Sequence, residues 1–506
     1  MQNETRCLLF CCWLIASACN TSYNSTYSPL NKMPAVALQQ DVQLLQNILE
    51  ANHPSLYWYT PKDSMDLYFN RSRSSIKDSL NELEFKNHLA ELVSHIKCGH
   101  TTVRFSGTYR RKAAQFQFPA FPLAIKTWGD SLVVLAGSDP KKEVSRRGTI
   151  IQSINGKTNK ELLDSIFQYI SVDGYANNYK SQLVSNQFGP WYKTIYGLDS
   201  QYVIRFIDSL GVSKMDTLKN YSPSPRPKNL MESTDTMMKH LVRPTRRELK
   251  KQSKINQRSL QIDTTMHTAY MRITSFSTSG LKTFFRKSFN TIREQNITHL
   301  VIDLRENGGG QIVNSIRLTK YLAKHPFKVA DTVVAISRNF KYGRYINQSG
   351  LYWFPMNFNA HKLEDGKIHY RRYENNYFTP YSNKRFDGEV FIIQGGLSFS
   401  AATMFTANLK GQSNVKIVGE ESGGGYYGNS AVHIPTIVLP NSKLRISLPM
   451  YRVVLNKDRP KGFGITPDIL VSPSSAAIRK GVDLKMQTIR NHILAANQIN
   501  QNNTIK

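Results

Sequence analysis

The apolar positions of this chain follow a helical period at first and a strand period further on. Across residues 36–112 they recur at helical spacing, beginning with an amphipathic run over residues 38–49. Phe85, Leu89, Leu92, Val93 and Ile96 then fall at i, i+4, i+7, i+8 and i+11, one face of a helix. Asn81 and Glu84 match a capping box at its start, and Gly99 is the expected stop. Over residues 121–208 the period shortens. LAIKTW and SLVVLAG read as strands, and RGTIIQSINGKTNKELLDSIFQYI as a strand, a turn and an amphipathic helix. Beyond Ala269 the two periods alternate: AYMRITSF, a helix over 281–293, HLVIDL, a helix over 313–322, EVFIIQ, a helix over 400–409, then VKIVGE. Such alternation predicts an α/β layered region. One polar stretch dense in Tyr, Trp and Phe, residues 352–386, interrupts it, either lining a cleft or packing as a surface insertion. From Ser475 the chain reads as a terminal helix and a polar tail.

Candidate chemistry sits where strands run into glycine. FIIQGGLSFSAATMF, residues 391–405, passes from a buried strand through Gly395 and Gly396 into a helix start. A serine in that first turn, Ser400, lies among unpaired N–H groups and the positive end of the helix dipole, which can stabilise an oxyanion. The plainer alternative is that Ser398 or Ser400 caps the helix. HLVIDLRENGGG, residues 299–310, ends another strand in three glycines, which let the backbone approach a ligand and aim N–H groups at it. The segment lacks both the Gly-Lys-Ser/Thr of a phosphate loop and the GxGxxG of a dinucleotide site. Among twelve histidines, His100 stands out because it follows the helix stop, where it can leave the core and where the dipole favours an imidazolium.

Four blocks in order, DLRENGGG, SFSAATMF, IVGEESGGG and GFGITPDI, together resemble the tail-specific (C-terminal processing) peptidase family over roughly residues 269–471. The resemblance implies an α/β catalytic domain of crotonase-like fold and a serine endopeptidase acting on extended polypeptide without metal or cofactor. It maps the nucleophile onto Ser400 rather than Ser398, and the oxyanion amides onto Gly309 and Ala401. One branch of the family uses a lysine about twenty-five residues after the serine; Gly425 stands there. The other, similar to the tricorn core protease, uses a histidine ahead of a PDZ-like region, which maps onto His100. Relatives in that branch carry a glutamate three residues before the glycine of Gly-Val-x-Pro-Asp, and a serine before the histidine. Here Lys461 and Gly99 occupy those places. Asp458 is the nearest upstream carboxylate for the third member of a triad, with Glu420 and Asp468 as alternatives. Losing the acid of such a triad costs orders of magnitude in rate. The competing expectation is therefore a weak or inactive family member that binds peptide or lipophilic ligands. Residues 113–220 resemble a PDZ-like module, which engages peptide by strand addition.

The 506 residues have room for several domains: a helical cap over 36–112, the PDZ-like region over 113–220, a basic linker over 221–262, a catalytic domain over 263–475 and a C-terminal helix and tail over 476–506. The formal net charge of +30 favours acidic surfaces, but part of it lies in a polar stretch, residues 239–258, read as a flexible solvated segment rather than a nucleic-acid module. Twelve apolar residues behind Arg6 form a signal-peptide core over residues 1–18. LIASAC then resembles a bacterial lipoprotein signal, with Cys19 lipidated and residues 19–35 as a tether from the membrane. An exported protein of the bacterial cell envelope is the resulting expectation. Cys98 alone remains in the body, so no disulfide framework exists, and a buried thiol there is expected rather than a nucleophile.

Overall fold

The computed structural model of the chain describes residues 27–116, 118–222 and 245–504. The expected signal segment, residues 19–26 of the tether with Cys19, and residues 239–244 of the basic stretch lie outside them. The architecture is a mixed α/β, multidomain one. Its centre is a six-stranded sheet in the order Arg258–Asp263, Thr268–Ile273, His299–Asp303, Glu389–Gln394, Val415–Gly419 and Ile469–Leu470. The first pair is antiparallel and the rest are parallel. The three inner parallel strands are almost wholly buried, as expected when helices cover both faces. Leu281–Glu294, Ile312–Thr319 and Ala401–Leu409 pack on one face. On the other, Ile489 and Ile493 of Leu484–Thr504 meet Val301, Phe391, Ile393 and Val418. The end of the chain is thus helical through Thr504, anchored by these two isoleucines, rather than a helix followed by a polar tail.

The N-terminal helices Ala35–Asn52, Lys62–Ser75 and Glu82–Ser94 share one hydrophobic core with the catalytic region instead of having their own. Asp41, fully buried, ties the first of them to the distant backbone by accepting from Ser442 N–H (2.8 Å) and Ser442 Oγ (2.6 Å). The Asn81–Glu84 capping box forms as its residues predict. The helix stops at Ser94, however, short of Gly99: Lys97, at φ 56°, takes the left-handed residue of the exit, and Gly99 is glycine for a different reason described below.

Residues 123–219 form a separate unit with its own core. Its sheet runs Leu123–Trp128, Ser131–Gly137, Ile150–Ile154, Gln201–Ile207 and Ser213–Lys219, all antiparallel, with Asn159–Phe167, Asn177–Asn186 and Phe188–Tyr196 packed beside it. Among the described residues the basic stretch is solvated, as read, but it is structured rather than a flexible linker. Arg246–Gln257 is a helix started by a Thr245–Glu248 capping box, and Arg258–Asp263 is an edge strand of the central sheet. High charge hid a good cap and strong helix formers. The aromatic stretch likewise contains a helix, Ser349–Asn359, and two short strands, His361–Lys362 and Ile368–His369. Among the described residues no helix is long and apolar enough to cross a membrane.

Candidate active site

The strand Glu389–Gln394 delivers the chain into the site from the middle of the parallel sheet. Gln394 fixes the exit by donating from its side-chain amide to the carbonyls of Glu420 (2.9 Å) and Ile465 (2.6 Å). The turn then needs glycine: a Cβ at Gly396 would lie 2.4 Å from the Asn178 carbonyl oxygen. Ser398 is fully buried, its Oγ donating to Leu304 O (2.8 Å) and accepting from Gly395 N–H (3.1 Å), so its hydroxyl is structural. Ser400 differs in every respect. Its backbone sits at φ 55°, ψ −120°, and its side chain makes no capping bond to the helix it precedes. That conformation is strained for a non-glycine residue by about 1–3 kcal/mol and persists only where the surroundings impose it. The capping alternative therefore does not describe Ser400.

Two glycine loops impose it. In the first, Asn307 is wholly buried, donates from its amide to Ile273 O (3.0 Å) and accepts Phe399 N–H on its backbone carbonyl (3.0 Å). A Cβ on Gly309 would stand 2.6 Å from the Ser400 Cβ, so only glycine permits this approach. The Gly309 N–H is donated to Asn307 Oδ1 (2.8 Å), which corrects its expected part as an oxyanion donor: its contribution here is close approach. Ala401, by contrast, is the first residue of its helix, where an N–H has no intrahelical acceptor. In the second loop, Gly423 and Gly424 both donate to Ser398 O (3.0 and 3.2 Å), and a Cβ on Gly424 would lie 3.1 Å from Ser400 N. At Gly425, where one branch of the resembled family carries lysine, a Cβ would meet Gly428 O at 2.4 Å. No side chain fits there.

His100 comes to this elbow from the cap region. Its ring packs against Phe399, the neighbour of Ser400, with centroids 4.7 Å apart. Its Nδ1 is buried without a hydrogen-bond partner. Burial lowers its pKa to about 4, and the helix dipole expected to favour the imidazolium does not reach it, because the helix ends at Ser94. The neighbouring Cys98 thiol is pushed up to about 12 by burial and is inert, as its position suggested.

None of the three carboxylates considered for the triad reaches His100. Asp458 is exposed, in a surface turn where its own N–H donates to Asn456 Oδ1 (2.8 Å). Glu420 is paired with Lys485 (2.7 Å), and Asp468 accepts from Ile417 N–H (2.8 Å) and Lys410. Lys461 donates to the Trp58 carbonyl (2.6 Å). The carboxylate beside the site is Asp173, from the antiparallel unit. It is buried, its Oδ1 accepts Gly99 N–H (2.8 Å), and its Oδ2 has no partner. Burial raises its pKa to about 7 against the opposing effect of the Gly99 and Gly425 amides. In sequence, Val-Asp-Gly reads only as a turn, and nothing local sets Asp173 apart.

Residues 267–471 match the family model of peptidase family S41. In structure the chain is similar to mature CPAF, at 12% identity and a TM-score of 0.61, covering 88% of this chain and 94% of that one. The complex of mature CPAF with lactacystin gives the same identity and TM-score over 92% and 99% of the two chains. A putative peptidase from Parabacteroides merdae shares 14% identity over 91% and 97%, at a TM-score of 0.45. A comparison with curated proteins found no match. The expected tail-specific family is the one found: residues 267–471 of this chain match peptidase family S41, and the match supports a serine-type peptidase.

Proposed function

We propose that the chain is an exported endopeptidase in which His100 deprotonates Ser400 for attack on a peptide carbonyl, as in the tricorn-like branch of the family. The observation that carries this is the strained Ser400 elbow with the His100 ring packed on Phe399. A buried imidazole whose pKa lies near 4 is neutral at pH 7 and free to accept a proton. Nδ1 is the sealed nitrogen, which leaves Nε2 for the serine side. The Ala401 amide, at the positive end of its helix, stabilises the tetrahedral oxyanion, and water then releases the acyl-enzyme. The antiparallel unit acts as the PDZ-like module, engaging an extended substrate segment beside its edge strand Leu123–Trp128, on which Thr127 N–H is held by Ser185 Oγ (2.8 Å). Lipidation of Cys19 holds the protein at the cell envelope, and the mass of the mature N-terminus decides that point.

One observation favours the second reading, a ligand carrier with little turnover: position 461 is lysine and Asp458 points away to solvent. A fluorophosphonate probe separates the two. Labelling of the wild type that is lost in both Ser400→Ala and His100→Ala is the expected result, with Ser398→Ala still labelled. A folded wild type that takes no label, or label that persists in Ser400→Ala, overturns the peptidase mechanism.

A further inference from the structure

We propose that Asp173 is the positioning carboxylate of His100, supplied by the antiparallel unit in place of the acid absent at position 461. The inference rests on His100 being the base for Ser400. The bond from Gly99 N–H to Asp173 Oδ1 (2.8 Å) holds the carboxyl one residue from His100. Asp173 Oδ2 and His100 Nδ1 are both buried and unbonded, to each other as to other groups, one an acceptor and the other a donor in the tautomer a base requires, so the pair closes only when the imidazole or the carboxyl turns toward the other. Gly99 makes the approach possible: a Cβ there would lie 3.3 Å from Asp173 Oδ1 and 2.7 Å from the Phe399 ring. That ring in turn touches His100 and stacks on Tyr179 (4.8 Å). The backbone on either side of the contact is pinned as well. Gly174 N–H donates to Lys97 O (3.0 Å), and Tyr175 N–H to Gly462 O (2.8 Å). The Asp173 turn is therefore clamped between the loop carrying His100 and the loop that holds Lys461.

The surroundings leave the carboxyl free for the imidazole. Lys97, Tyr59 and Cys98 line the narrow cleft beside it, with the side chains of Asn429 and Ser430, and Tyr179 faces it from its own unit. Among the described residues no ion pair neutralises Asp173. When the imidazole takes the serine proton it becomes a buried cation, which a carboxylate across Nδ1 stabilises while fixing the tautomer. The proton that leaves Ser400 Oγ rides on His100 Nε2 and passes to the leaving amine; Asp173 receives none of it.

The variant that tests this is Asp173→Asn, which keeps an acceptor for Gly99. Expected is a fall in kcat of roughly 10²–10⁴-fold with KM changed little, and a double mutant with His100→Ala no slower than His100→Ala alone. In a folded Asp173→Ala variant, added formate is expected to restore part of the rate. A kcat for Asp173→Asn within threefold of wild type, losses that multiply with His100→Ala, or no formate rescue in folded Asp173→Ala overturns the inference. Substantial turnover in His100→Ala alone overturns the base assignment instead, so the two failures are distinguishable.

Discussion

At the scale of single residues, the site is built from groups held where they would not choose to be. Ser400 occupies a backbone region that glycine tolerates, and the crowding of Gly309 and Gly424 around it leaves no room to relax. Strain of this kind is maintained by the surroundings and contributes nothing to stability. Ser400→Gly and Ser400→Ala should both abolish peptidase activity, but they should differ in stability. Glycine relieves the conformational cost, offset in part by its greater freedom when unfolded, so Ser400→Gly is expected to be about 1 kcal/mol more stable than Ser400→Ala. Urea unfolding of the two variants measures this. Equal stability, or a less stable glycine variant, would mean the elbow is not strained.

Elements, the next scale up, divide into those whose own residues specify them and those defined by distant partners. The Asn81–Glu84 cap, the strand Glu389–Gln394 and the helix Ala401–Leu409 were legible because period, capping chemistry and glycine placement are local signals. Ser400 and His100 stood out as candidates because each follows a glycine-containing segment and sits in a block that resembles the family. Asp173 was not, because its meaning comes from Gly99, seventy-four positions away in the chain, and from a domain packed against the site. The helix Arg246–Gln257 was hidden by its charge, and the full length of the C-terminal helix by the polarity of a segment whose burial depends on two isoleucines. That dependence is testable. Ile493 is fully buried against Val301, Phe391, Ile393 and Val418, beneath the sheet that carries the nucleophile strand. Ile493→Ala should destabilise the protein by about 2–5 kcal/mol while leaving the kcat of the folded enzyme unchanged, since it acts on the face opposite Ser400. Thermal melts with active-site titration read both; a kcat that drops with folded concentration held constant would contradict it.

The whole molecule adds up what buried titratable groups do to folding, and here the candidate site leaves a signature. His53 and His100 are both lowered to about 4 by burial. Between pH 4 and their ordinary 6.5 the unfolded chain binds protons that the folded one refuses, so each makes stability fall as the solution is acidified. Asp173 works in the opposite sense. Its carboxyl, ordinarily near 3.8, is raised to about 7, so over the same window the folded state holds a proton the unfolded state has lost, and stability falls as pH rises. The two histidines together outweigh the single acid. These three groups leave a net slope near one proton, or about 1.4 kcal/mol of stability gained per pH unit between roughly 4.5 and 6.5. Asp173→Asn removes the opposing group and should steepen the slope to about two protons, its advantage over wild type growing up to about pH 7 and flat above. The absolute stability of the variant is a poor guide, because the asparagine NH₂ has its own desolvation cost. The diagnostic is the difference in slope, from urea unfolding of wild type and Asp173→Asn across pH 4.5 to 8. Parallel profiles would mean that Asp173 is ionised in the folded protein throughout, and burial would not be what raises its pKa.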